Sequence, residues 1–183
     1  AHNQHGHSVW PVAMLMVAAE LQTGCVLMPQ VDPMFGPDRS SEATQSAQIV
    51  KKLPTGSIVM ADAGFGIFSV AYHTQHAGHD LLFRLTKQRF NAMVKKATEI
   101  ESGKGYKSYR LNWLPSEKDR KNNPELPSEA ALDVILHCVD LDNGGQLYLV
   151  STLAFDATSA AELYSHRYEI EFDIRDLKVT MDA

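Results

Sequence analysis

The sequence predicts an α/β fold, in which strand-like runs alternate with helical stretches and a strand-rich stretch precedes the last helix. Three observations predict it. Ser57-Ile-Val-Met-Ala61 is a short continuous apolar run of the kind a buried central strand uses, and it lies between two stretches of helical composition. Asp142-Asn-Gly-Gly145 is hairpin-turn chemistry set between two strand-like runs. Ser159-Ala-Ala-Glu162 is a capping-box pattern that starts a helix near the end of the chain.

Composition narrows the class further. With 183 residues, 44% hydrophobic and 21% charged, the chain can bury a core and is not a disordered segment. Its two cysteines, Cys25 and Cys138, are too few for a disulfide framework and form no Cys-x-x-Cys spacing, which points to a reducing, cytoplasmic setting. The longest apolar run, Val9 to Ala19, is short for a membrane span, contains Pro11 and follows no signal-peptide pattern, so no membrane partner is expected. The net charge of −5 is unevenly spread: Arg84 to Lys121 carries 11 Lys+Arg against 4 Asp+Glu, leaving 6 against 18 elsewhere. A basic module on an acidic core suits nucleic acid held at one face, although solvated loops fit the count equally well. The chain opens at Ala1 without an initiator Met, which predicts that it is part of a longer protein.

The elements follow in order. His2, His5 and His7 lack a fixed scaffold and read as a solvated stretch, not a metal site. Val9 to Glu20, the turn residues Leu21 to Gly24, and Cys25 to Val31 predict a β-hairpin. Ser40 to Leu53 predicts a helix with Ala43, Ala47, Val50 and Leu53 as its apolar positions, ended by Pro54-Thr-Gly56. The strand at 57–61 ends at Asp62, and Ala63 to Gly66 turns the chain into a helix reaching about Gly78. Further strands are predicted at Asp80 to Leu85, Tyr106 to Trp113, Asp133 to Asp140 and Gln146 to Thr152, with Pro115 to Pro127 as a polar loop. His73, His76 and His79 are spaced three apart, which drifts around a helix and does not converge on a ligand.

In the last helix Tyr164, Arg167, Glu171 and Lys178 follow one another at intervals of three, four and seven. At 3.6 residues per turn they share a sector of roughly 60°, beside an apolar edge of Leu163, Ile170, Ile174 and Leu177. The residue types have distinct chemistry. Arg offers phosphate a bidentate fork, Lys a point charge and Tyr a hydroxyl, while only the carboxylate suits Mg²⁺. An ordinary amphipathic helix with an Arg167–Glu171 ion pair satisfies the same spacing.

This Tyr-x2-Arg-x3-Glu-x6-Lys spacing resembles the signature of DDE transposases of bacterial insertion sequences, in the insertion-sequence-four group. Ile58-Val-Met-Ala-Asp62-Ala-Gly-Phe65 resembles the second-carboxylate motif of the same family, and Ser41-Glu42 and Phe83-Arg84-Leu85 also fall where it has similar residues. The resemblance implies a ribonuclease-H-like fold, a mixed sheet flanked by helices, divided into a first core part at 1–86 (lacking its first strand), a β-rich insertion at 87–152 before the last helix, and a carboxylate-bearing helix at 153–183.

It implies that Asp62 and Glu171 are catalytic carboxylates binding two Mg²⁺ ions, with Mn²⁺ as a substitute. It also implies that Tyr164, Arg167 and Lys178 hold DNA phosphate. Trp113, with Tyr106, Tyr109 and Lys107, is a candidate platform for an unstacked base, ranked behind a place in the core. The implied partners are transposon-end and target DNA, bound by a homodimer of the full-length protein. The first carboxylate would come from a strand ahead of the hairpin. The residues before Val9 contain no Asp or Glu, so the chain by itself is expected to be inactive. Three alternatives stay open: a non-catalytic DNA-binding relic, another ribonuclease-H-like nuclease or resolvase, and a nucleotide-binding domain using the Asp62–Gly66 turn.

Overall fold

The computed structural model describes residues 2–3, 6–7, 13–37 and 39–167. At the start, β1 (His2–Asn3) pairs antiparallel with β2 (Gly6–His7). The expected hairpin follows as β3 (Ala13–Ala19) and β4 (Val26–Pro33), antiparallel, with a register shift between Met16 and Ala18. In its turn the Glu20 carboxylate accepts the amides of Gln22 and Thr23 at 3.1 and 2.9 Å, and Gly24 takes a positive φ of 67°.

Helix α1 (Glu42–Val50) begins at Ser41, whose hydroxyl accepts the Thr44 amide at 3.1 Å. Gln45, fully buried, ties this helix to the hairpin by donating to the Met14 carbonyl at 3.3 Å and to Asp32 Oδ2 at 3.0 Å. These two bonds satisfy the donors of its amide, while the buried Oε1 has no partner among the described residues.

The main sheet has six strands: β5 (Ile58–Ala61), β6 (Asp80–Arg84), β7 (Thr98–Gly103), β8 (Tyr106–Trp113), β9 (Leu132–Asp140) and β10 (Gln146–Ser151), in the order β5-β6-β10-β9-β8-β7. The β5–β6 pair is parallel and the other four pairs are antiparallel, so the sheet is mixed. Helix α2 (Phe68–His76) makes the crossover a parallel pair requires. Among the described residues the further helices are α3 (Lys87–Val94), α4 (Glu117–Asn122) and α5 (Ala157–Ser165).

Side chains alternate between the two faces with period two. Leu81, Phe83, Val134, Leu136, Tyr148 and Val150 point to one face and pack with Phe68 of α2 and Phe90 of α3. Leu82, Leu147 and Leu149 point to the other and pack with Ala160 and Tyr164 of α5. Each fully buried Leu contributes about 1.5–3 kcal/mol. The result is an α/β sheet covered on both faces by helices, consistent with a ribonuclease-H-like fold. Among the described residues no helix is long and apolar enough to cross a membrane.

Strand β10 pairs directly with β6, so one sheet runs through the segments 58–84 and 98–151. Several expectations are corrected. The strand ending at Asp62 is half-buried, and among the described residues it is an edge strand, not a central one: β5 pairs only with β6, and Ile58 is 43% exposed. Helix α5 starts earlier than the Ser159 pattern indicated. Asp156 is its N-cap, accepting the Thr158 and Ser159 amides at 2.9 Å each, and His166 follows Ser165 as C-cap, with Arg167 helical again at the end of the described residues. Finally, the 115–127 loop contains α4, held by a capping box between Ser116 and Asp119.

Candidate active site at the Asp62 turn

Asp62 follows β5 directly and is exposed. Its turn is held from within: the Gly64 amide donates to Asp62 Oδ1 at 2.8 Å and the Phe65 amide to the Asp62 carbonyl at 3.2 Å. This is the self-bonded turn an Asp favours. Gly66 closes it against β6. A Cβ there would press on the Arg84 carbonyl oxygen, well inside van der Waals contact, and would lie 3.0 Å from Leu85 Cδ2. Only glycine lets the turn approach the end of β6 this closely. We expect Gly66→Ala to destabilise the fold by about 1–3 kcal/mol in urea unfolding, since the obstructing atom is backbone and cannot swing aside.

Two side chains from distant elements reach the carbonyls on either side of Asp62. The Tyr164 hydroxyl, on α5, donates to the Ala61 carbonyl at 3.2 Å. The Arg89 guanidinium, from the first turn of α3, donates to the Ala63 carbonyl through Nη1. Tyr164 is fully buried among the apolar side chains of the second core cluster, and the Arg167 guanidinium stands 5.4 Å from the centre of its ring. Of the predicted set, Tyr164 thus reaches the carbonyl of the residue before Asp62, and Arg167 lies against the Tyr164 ring. Glu171 and Lys178 lie outside the described residues.

Arg89 is the residue that sequence reasoning missed. Its one trace was membership of the basic segment, with Lys87 beside it. Trp113 is engaged elsewhere: it is partly buried, packs against the first core cluster and meets Phe68 edge-on at 5.4 Å. The three histidines have individual surroundings. His76 stacks on Tyr72 at 3.8 Å, His79 is buried with Nε2 2.7 Å from the Val50 carbonyl, and His73 lies 3.7 Å from Glu125.

The chemistry of the donors present suits a hard divalent cation. Asp62 presents an exposed carboxylate of which one oxygen is occupied by the Gly64 amide, leaving the other for an ion that takes oxygen ligands. Among the described residues no group of three or more His, Cys, Asp and Glu side chains converges to hold a metal.

The sequence matches the family model of the transposase DDE domain over residues 2–182. It matches no curated protein.

Proposed function

The chain belongs to the transposase DDE domain family, and from that premise we propose that it is catalytic-domain sequence of a DNA transposase of the insertion-sequence-four group. In this reading Asp62 and Glu171 hold two divalent ions, Mg²⁺ with Mn²⁺ as a substitute. When bound, the ions supply an activated water or 3′-hydroxyl and stabilise the leaving oxygen of the DNA phosphodiester. Arg167 grips the phosphate with its planar fork and Lys178 with a point charge. Tyr164, third in that set by resemblance, lies buried with its ring beneath Arg167, where a cation–π contact supports the guanidinium. The substrates are transposon-end and target DNA in a cytoplasmic setting, engaged by the full-length protein as a homodimer. The 183-residue chain alone binds divalent metal weakly and leaves DNA uncut, because two carboxylates offset too little of the charge of two ions.

One observation carries this reading. The hydrogen bond from Tyr164 to the Ala61 carbonyl spans 103 positions and joins the Tyr-Arg-Glu-Lys signature to the Asp62 motif. Tyr164, the first residue of one motif, thus lies against the strand end that carries the other.

DNA binding and metal binding test it together. The logarithm of affinity for duplex DNA should fall linearly with the logarithm of salt concentration, and Arg167→Ala should reduce that slope by about 1, the value for one phosphate contact. Mn²⁺ should broaden the amide resonances of Asp62, Ala63 and Gly64 first. Salt-insensitive DNA binding, or broadening that never favours the Asp62 turn, would sink the reading.

A further inference from the structure

We propose that Arg89 and Tyr164 are positioning residues that clamp the Asp62 turn from both sides and so fix the direction of its carboxylate. The proposal rests on the reading of Asp62 as a metal-binding residue and adds to it the means of aiming that residue.

A trans peptide is rigid, and its C=O and N–H point in opposite directions. The Ala63 carbonyl held by Arg89 belongs to the same plane as the Gly64 amide, which is the donor to Asp62 Oδ1. Gripping the oxygen therefore aims the N–H at the carboxylate. On the other side, the Ala61 carbonyl held by Tyr164 shares its plane with the amide of Asp62 itself. The backbone entering and leaving Asp62 is thus oriented by donors from α5 and α3, whose own places are fixed independently.

Tyr164 is fully buried, and the Arg89 amide is bonded to the Thr86 hydroxyl at 3.2 Å at the start of α3. Asp62 is exposed, so the direction of its carboxylate depends on the Gly64 bond and on the backbone that presents it.

The test uses the chain without DNA and reads the turn directly. In Arg89→Met, amide exchange of Gly64 should accelerate about tenfold, the loss expected for one net hydrogen bond, and Arg89→Lys should restore most of it by returning a donor. In Arg89→Met and in Tyr164→Phe, the Mn²⁺ concentration that half-broadens the Asp62 amide should rise by about the same factor. Exchange and Mn²⁺ concentration both unchanged in the two variants would overturn the clamp. Should Tyr164→Phe fail to fold, the half-buried Arg89 pair still decides.

Asp62→Asn separates the two ideas. If it leaves Mn²⁺ broadening intact, the metal reading of Asp62 fails, whereas the Gly64 exchange response continues to judge the clamp.

Discussion

Replacing Asp62 with Asn is expected to lower metal-dependent DNA cleavage by the intact transposase at least about 10³-fold while leaving the fold unchanged. The substitution is unusually clean at this position. The Asp62 oxygen that accepts the Gly64 amide has a counterpart in the Asn side-chain carbonyl, so the turn keeps its bond. What disappears is the negative charge and the second oxygen, and an amide nitrogen has no lone pair to give a cation.

Asp62 is exposed, so the melting temperature should shift by no more than a surface substitution allows, about 0.5 kcal/mol in stability terms. Single-turnover cleavage of labelled end DNA, alongside a thermal melt, separates the two effects. Cleavage within about tenfold of the unaltered protein would remove Asp62 from the ligand set. The same assay on Glu171→Gln examines the other carboxylate on equal terms.

How much of this was legible in the sequence depends on the range over which each residue acts. Leu81, Leu82 and Phe83 could be placed on a strand because burial on alternating faces leaves its mark on neighbouring positions. Strand β7 escaped notice because all six of its residues are exposed, so no apolar alternation marks it and only pairing with β8 defines it. Helix α4 has no buried residue and hence no apolar periodicity, and the Ser116-x-x-Asp119 box was its one local sign.

At the start of α5 two cap patterns compete. Asp156 wins by collecting both free amides, and the Ser159 hydroxyl becomes a donor to Asp156 at 2.6 Å instead of a cap. For the site, both motif ends could be read, whereas the bonds from Arg89 and Tyr164 to the backbone beside Asp62 could not. Each crosses from one element to another, and a donor aimed at a main-chain carbonyl constrains no residue type at the accepting end.

Between pH 6.5 and about 4, the protein is expected to lose up to roughly 3 kcal/mol of stability through one side chain, His137. This residue lies on β9, fully buried, with Nδ1 3.0 Å from the Ser108 hydroxyl and with no partner for Nε2 among the described residues. Burial pushes its pKa down from 6.5 to about 4, and the nearby carboxylates of Asp156 and Glu101 oppose that only in part.

The direction follows from where protons bind. Unfolded His137 takes up a proton near pH 6.5, whereas the folded imidazole resists until about 4, so in this interval the unfolded chain binds more protons and acid favours it. The contribution is complete above the interval, declines through it and changes no further below. Asp156, whose carboxyl is held low chiefly by the Ser159 hydroxyl, loses its own contribution only below about 3.8, so the two effects occupy separate ranges.

His137→Gln keeps a polar partner for Ser108 but cannot titrate. In urea unfolding, its stability deficit relative to the unaltered protein should shrink by about 2 kcal/mol between about pH 7.5 and pH 4.5, because only the parent pays for protonation there. An equal deficit at both pH values would place the acid-sensitive proton on another group.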